Sequence, residues 1–316
     1  MVQPSEVVTM EKRQTRHTVF VIETVGRLGN QIILFANLIA LSMATGITVA
    51  HPTLGVYANY FAGTVGDLLC RYPQSSRRRS RPNVVAWVAI RKLCRLLDKS
   101  GVLAILAPGR TFESDYHSLV DMTNASFIAK VRGGRFTFLT KGWQFQYSHV
   151  RKEEFMLQLR SYFRLAEPYA SNVESIVAMA RVGCDVLIGV HIRQTDFKAH
   201  ADGRYYFVTN EYERLMRHCE RLFRPARVAF LVVSDEKHGP TDFPSLNCFF
   251  GSGVDVEDMY CLGNCDYIIG SIGSSFSLWP AVLFQKPTYR ITHSEARPSL
   301  SEFVVSSKPW IEESST

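Results

Sequence analysis

Between residues 185 and 284 the chain alternates short, unbroken apolar runs with helix-length stretches, and this pattern constrains the fold more than any other feature. The runs are Asp185-Val186-Leu187-Ile188, Val228-Ala229-Phe230-Leu231-Val232-Val233, Asn247-Cys248-Phe249-Phe250 and Tyr267-Ile268-Ile269-Gly270. Continuous apolar runs of this length read as strands covered on both faces. Tyr212 to Phe223, Val256 to Cys265 and Phe276 to Phe284 fill the gaps as helices. Strands alternating with helices give a parallel sheet with right-handed crossovers, an α/β fold. In such a sheet, ligands bind beyond the carboxyl ends of the strands. Three ends carry suitable groups: His191, Arg193 and Asp196; Ser234 and Asp235; and Ser271 to Ser275. Arginine offers a permanent charge and a planar fork to phosphate or carboxylate. A Gly-Ser-Ser cluster before a helix can present N–H groups and hydroxyls to an anion. One such end is more often ordinary surface ion pairing; convergence of three points to a ligand.

The N-terminal half opens in the same style. Val19 to Glu23 reads as a strand, Gly26-Arg27-Leu28-Gly29-Asn30-Gln31 as a loop, Ile32 to Ala44 as an apolar helix ended by Gly46, and Ile47 to Ala50 as a second strand. The spacing G-x-x-G-N is neither the dinucleotide fingerprint nor a P-loop. Its glycines either let a ligand approach the backbone at a helix N-terminus or make a tight turn. Arg164 to Glu167, closed by Pro168, reads as the joint, dividing the chain into domains at 18–166 and 167–316. Residues 1–17 are polar and read as a disordered lead-in without the apolar core of a signal peptide.

A formal net charge of +7 suits an anionic ligand or surface. No nucleic-acid fingerprint accompanies it, so no nucleic-acid partner is expected. Basic residues gather at Arg77-Arg78-Arg79-Ser80-Arg81 and on a helix predicted over 84–97, where Arg91, Lys92, Arg95 and Lys99 share one face. That helix is either an ordinary surface helix or one resting on anionic lipid, which would give residues 77–99 a peripheral membrane contact. No apolar run is expected to span a membrane. Seven cysteines without a tight framework suit a reducing, cytoplasmic setting, including the inner face of a membrane. Cys261 and Cys265 read as buried thiols on a helix rather than half a metal site, and no metal ligand set is expected.

Five segments in order carry a family resemblance. Gly26-Arg27-Leu28-Gly29-Asn30-Gln31 resembles the G-R-x-G-N-Q motif of the α-1,2-fucosyltransferases, within the superfamily that includes the α-1,6- and protein O-fucosyltransferases. Gly142-Trp143-Gln144-Phe145-Gln146 with Arg160 to Phe163, Val190 to Asp196, Val233-Ser234-Asp235-Glu236, and Asp266 to Trp279 are similar to four further motifs of that family. The chain departs at Gln194, where the family has a second arginine, at Gly273 for an asparagine, and at Pro280 for a second tryptophan, and so reads as a divergent member.

The resemblance implies a GT-B fold of two Rossmann-like domains facing a cleft, with GDP-fucose bound mostly by the C-terminal domain. It implies inverting transfer of L-fucose from GDP-β-L-fucose to a glycan or lipid-linked glycan, α-1,2 to galactose, with no cofactor and no metal. By the same resemblance Arg193 holds the β-phosphate, and His191 lies against the nucleotide. Asp258 contacts guanine or ribose, and Ser274 and Ser275 hold phosphate oxygens. Gly29, Asn30 and Arg27 approach from the other domain. Asp235 is a donor-side candidate that could instead fix a strand-end backbone. The expected base is Asp202, because a carboxylate beside Arg193 would have its pKa pulled down; that suits Asp196 to orienting Arg193. Acceptor specificity is expected from variable loops over roughly 51–140. The competing reading is a non-catalytic nucleotide-sugar or glycan-binding protein on a degenerate transferase scaffold.

Overall fold

The computed structural model describes residues 17–23, 26–74, 82–115, 118–149 and 152–306. The lead-in up to residue 16 and the arginine run at 77–81 lie outside them. The chain divides into two compact units: Met1–Thr24, Asn37–Gly55 and Gly66–Phe155 form one, and Val25–Ala36, Val56–Val65 and Met156–Thr316 the other. The segments at 25–36 and 56–65 therefore belong with the second unit, although they precede residue 166.

In the first unit, β1 (Thr18–Val21) pairs in parallel with β2 (Thr48–Ala50) and β6 (Phe136–Thr140). An antiparallel β3 (Arg71–Tyr72) and a parallel β4 (Thr111–Glu113) complete a sheet ordered β3-β2-β1-β6-β4. A small parallel pair, β5 (Val120–Asp121) and β7 (Phe145–Gln146), lies outside it. The unit's helices are α2 (Val84–Lys99), α3 (Val102–Leu106) and α4 (Ala125–Arg132). Asn83 starts α2 by accepting a hydrogen bond from Ala86 N at 2.9 Å, and Asn124 does the same for α4 through Ser126 N at 2.8 Å.

Helix α1 (Leu28–Thr45) begins four residues earlier than its apolar spacing suggested, so Leu28, Gly29, Asn30 and Gln31 form its first turn rather than a loop. Leu28, Ile32, Ile33, Phe35, Leu38, Ile39 and Leu41 are all buried, as befits a helix that is apolar on every side. By length and composition alone α1 could cross a membrane, contrary to the sequence expectation; 78% of it is buried inside the protein, which makes it a core helix.

The second unit carries α5 (Lys152–Tyr162, all but its first four residues), α6 (Tyr169–Ala180), α7 (Thr209–Leu222), α8 (Asp255–Gly263) and α9 (Ser275–Leu283). Its strands are β8 (Val186–Ile192), β9 (Val228–Ser234), β10 (Cys248–Phe250), β11 (Tyr267–Ser271), β12 (Pro287–Ile291) and β13 (Val304–Val305). The sheet order is β10-β9-β8-β11-β12-β13, parallel except for β13. The alternation over 185–284 thus yields the parallel sheet it predicts. Strand β8 runs to Ile192, four residues past the apolar run, so His191 lies within the strand rather than just beyond its end. Gly189 permits this: an added Cβ would lie 2.9 Å from Leu262 and 3.0 Å from Cys265 Sγ, so α8 can press directly on the strand. Cys261 and Cys265 are buried, and the Cys265 thiol donates to the Cys261 carbonyl at 3.3 Å, closing the end of α8.

Candidate functional site

The register of the second sheet brings three strand ends together. Ile192 pairs with Ser234 across β8 and β9, and Ile269 with Val190 across β11 and β8. The residues that follow, Arg193 to Asp196, Asp235 and Ser274 to Ser275, therefore gather at one edge of the sheet. All of them, and Arg27 to Asn30, belong to the second unit.

Arg193 is held as a fork. Its Nε donates to Asp196 Oδ1 at 2.9 Å and its Nη2 to Asp196 Oδ2 at 2.6 Å. Its guanidinium lies 4.2 Å above the Phe197 ring. The stacked ring and the bidentate carboxylate leave it few rotamers, so its charge is fixed in place before any ligand arrives. The hydrogen bonds and charge of Arg193, with the nearby charge of Arg27, hold the Asp196 carboxyl below its ordinary pKa. Asp196 is therefore a poor proton acceptor and a good orienting group.

His191 is buried, its ring stacked on Phe276 with centroids 4.7 Å apart and planes at 27°. Ser274 Oγ lies 3.5 Å from its Nδ1. Burial, and then the charge of Arg193, push the imidazole down to about 3, so it is neutral at working pH. A neutral ring can hydrogen-bond or pack against a ligand without adding charge.

Two helix N-termini meet beside these groups. Gly29, in the first turn of α1, sits so close to Ser275, the first residue of α9, that an added Cβ would be 2.5 Å from Ser275 Oγ and 2.8 Å from its carbonyl carbon. Gly26 has φ +100, and an added Cβ there would be 2.4 Å from Asn30 Nδ2, so the Asn30 amide folds back over the entry to α1. Each N-terminus presents free N–H groups and a partial positive charge. Arg27 extends the positive field: it is 63% exposed, against 20% for Arg193, and its guanidinium is 3.8 Å from Asp196 and 3.9 Å from Asp235.

Two other acidic residues are committed to the frame. Asp235 accepts hydrogen bonds from Gln194 N at 2.8 Å, from Thr195 N at 3.3 Å and from the Thr195 hydroxyl, so it ties the β9 end to the turn after β8. Asp258 accepts from Ser252 N at 2.7 Å and from Gly253 N at 3.2 Å, closing the loop after β10. An added Cβ at Gly251 would be 2.2 Å from Asp258 Oδ1. Both carboxylates are thus engaged by protein N–H groups, which sequence spacing does not reveal. Asp202 lies in the exposed 3-10 turn His200–Gly203 with φ +54, and its carboxylate makes no hydrogen bond or ion pair with the side chains and backbone of the described residues.

Burial pushes the Asp258 carboxyl up to about 6, outweighing its backbone donors. Between the unfolded value near 3.8 and about 6 the folded state keeps a proton that the unfolded state has lost, so stability falls as pH rises through this window. Two pKa units correspond to about 3 kcal/mol. The melting temperature of the wild type, measured relative to that of Asp258→Asn, should therefore drop from pH 4 to pH 7; a flat difference would refute the assignment.

Sequence reasoning does not single out Phe276 under His191 or Phe197 as the platform for Arg193, and it marks Gln194 only as a departure from the family pattern. The Gln194 amide is buried and donates to the Phe207 carbonyl at 2.9 Å, bracing the start of α7. The aromatic residue four positions after Arg193 was the available signal for the platform.

No protein-family model matches the chain, and no curated protein matches it by sequence. Solved structures do. A mutant of Arabidopsis thaliana FUT1 in complex with GDP matches over 90% of this chain and 73% of its own, with 12% identity and a TM-score of 0.54. The selenomethionine form of fucosyltransferase NodZ from Bradyrhizobium matches over 89% of this chain and 97% of its own, with 14% identity and a TM-score of 0.50. At such identities the likeness establishes architecture: the chain has the mixed α/β, GT-B-type fold of these fucosyltransferases.

Proposed function

We propose that this protein is an inverting fucosyltransferase that moves L-fucose from GDP-β-L-fucose to a glycan hydroxyl, with galactose as acceptor and an α-1,2 linkage as the finer assignment. The observation that carries the reading is the convergence of the Arg193 fork with the N-termini of α1 and α9 at the carboxyl ends of β8, β9 and β11. The shared fold with FUT1 and NodZ supports it, as do the five motifs, which supply the donor identity and the linkage.

In this reaction the acceptor oxygen forms a bond to the anomeric carbon as the bond from that carbon to the β-phosphate oxygen breaks. The electron pair leaves with GDP, and the acceptor proton passes to a base. Negative charge grows on the leaving diphosphate, where a pre-positioned arginine and two helix N-termini are most effective. These groups do the electrostatic work that a divalent metal does in other transferases, so we assign a metal-independent reaction. Asp196 is held by Arg193 and Asp235 by the 194–195 backbone. Asp202, on the turn after β8 and without a partner among the described residues, is the carboxylate we assign as base.

A second reading, a binding protein on a transferase scaffold, is favoured by one observation. Gln194 replaces the family's second arginine, and its side chain is spent on Phe207 and Thr209. One assay separates the two: release of GDP from GDP-fucose, and fucosylated product, across a panel of galactose-terminated glycans. Transfer is expected, unaffected by excess EDTA. Asp202→Asn should lower kcat by about 10²-fold with GDP affinity nearly unchanged. GDP binding without turnover on any glycan would favour the binding protein, and loss of turnover on chelation would overturn metal independence.

A further inference from the structure

Helices α2 and α3 carry an outer face that the donor site does not use. On α2, Trp87, Ile90, Cys94 and Leu97 turn inward, and a core of Ile22, Leu103, Ala107 and Phe138 receives three of them. Asp98, the one acid of α2, accepts a hydrogen bond from Thr140 Oγ1 at 2.6 Å and is half-buried. At about 100° per residue, the outer surface then holds two adjacent strips. One is basic: Arg91, Lys92, Arg95 and Lys99. The other is aliphatic: Val85, Ala89, Leu93 and Leu96. All eight are exposed, Val85 at 73% and Leu96 at 65%. Helix α3 adds Ile105 at 78% and Leu106.

Exposed aliphatic side chains gathered on one face mark a contact surface. The charges select the partner. The outer face of α2 carries four cations and no acid; among the described residues the one ion pair that row makes is Arg95 with Glu23 at 3.6 Å. A second copy of the chain, docked by a two-fold axis, would set the same cations against each other. An anionic bilayer accepts both strips: the aliphatic side chains enter the acyl boundary while lysine and arginine reach the headgroup phosphates. We propose that the α2–α3 face docks this protein onto an anionic phospholipid surface. The inference is independent of the donor reading, since none of these residues belongs to the donor site.

The test is flotation of the full chain with vesicles of phosphatidylcholine alone and of phosphatidylcholine with phosphatidylglycerol. The wild type should float with the anionic vesicles and not with the neutral ones. Val85→Ser with Leu96→Ser, and separately Lys92→Glu with Lys99→Glu, should each reduce flotation by about 10-fold or more, with unchanged circular dichroism and unchanged GDP affinity. If the charge reversal fails to fold, Lys92→Gln with Lys99→Gln replaces it with the same expectation. Wild-type flotation that is absent, or that persists in either variant, overturns the proposal. So does a dimer in light scattering that Leu96→Ser disperses while flotation is absent, which would give the face to a second copy.

Discussion

Replacing Arg193 by alanine should lower fucosyl transfer by about 10³-fold or more and weaken GDP binding by about 10- to 100-fold. A charge-assisted hydrogen bond contributes about 1.5–3 kcal/mol to binding, and loss of a donor aimed at developing negative charge costs about 10²–10³ in rate. The two losses compound because the same fork serves ground state and transition state. Arg193→Lys should recover little. A lysine ammonium cannot make two parallel bonds to Asp196, and without that anchor it does not hold one position over Phe197. Titration calorimetry with GDP and single-turnover assays with GDP-fucose read the two effects separately. Unchanged GDP affinity in Arg193→Ala would remove Arg193 from the donor site.

The second large effect comes from a methyl group. Gly29→Ala should lower both thermal stability and GDP affinity, although alanine favours a helix over glycine by about 1 kcal/mol. The added Cβ would lie 2.5 Å from Ser275 Oγ and 2.8 Å from the Ser275 carbonyl carbon. Backbone does not yield as a flexible side-chain tip does, so the first turns of α1 and α9 must part. Overpacking of this kind costs about 1–3 kcal/mol, which exceeds the gain in propensity. The separation also spreads the two helix N-termini, so GDP affinity should fall by about 10-fold or more. A variant that melts at or above the wild-type temperature and binds GDP normally would show that the close approach does not shape the site. Gly239, where an added Cβ meets nothing within 4 Å and φ is −147, is the control for a glycine substitution without such contact.

These two positions also show how far the sequence could be read. Arg193 and Asp196 stood three residues apart after a buried run, and that spacing suffices to suggest the ion pair. Gly29 could be read as a close approach or as a turn, and only the packing of Ser275 against it decides. Strand β8 was cut short because glycine and histidine are poor strand residues by local preference, whereas burial between β9 and β11 keeps both in the ladder. Strand β6 went unread inside a region expected to be loops. Its residues Phe136-Thr137-Phe138-Leu139-Thr140 do favour a strand, but its place between β1 and β4 is set by pairings to distant residues. Asp258 reads as a donor contact only through the family resemblance, and Asp235 at a strand end reads equally as a donor-side group or as a backbone anchor; the hydrogen bonds show both anchoring backbone. The backbone N–H groups that occupy Asp235 lie about forty residues away in the chain, beyond the reach of any local pattern.

The central claim is that the diphosphate of the donor sits at the carboxyl ends of β8, β9 and β11. A crystal structure of the protein with GDP-fucose tests it most directly. The account predicts the β-phosphate within hydrogen-bond distance of the Arg193 guanidinium and of the first turn of α9 at Ser274 and Ser275, with the α1 N-terminus at Gly29 and Asn30 alongside. GDP-fucose bound elsewhere on the chain, with Arg193 still engaged only by Asp196, would contradict it.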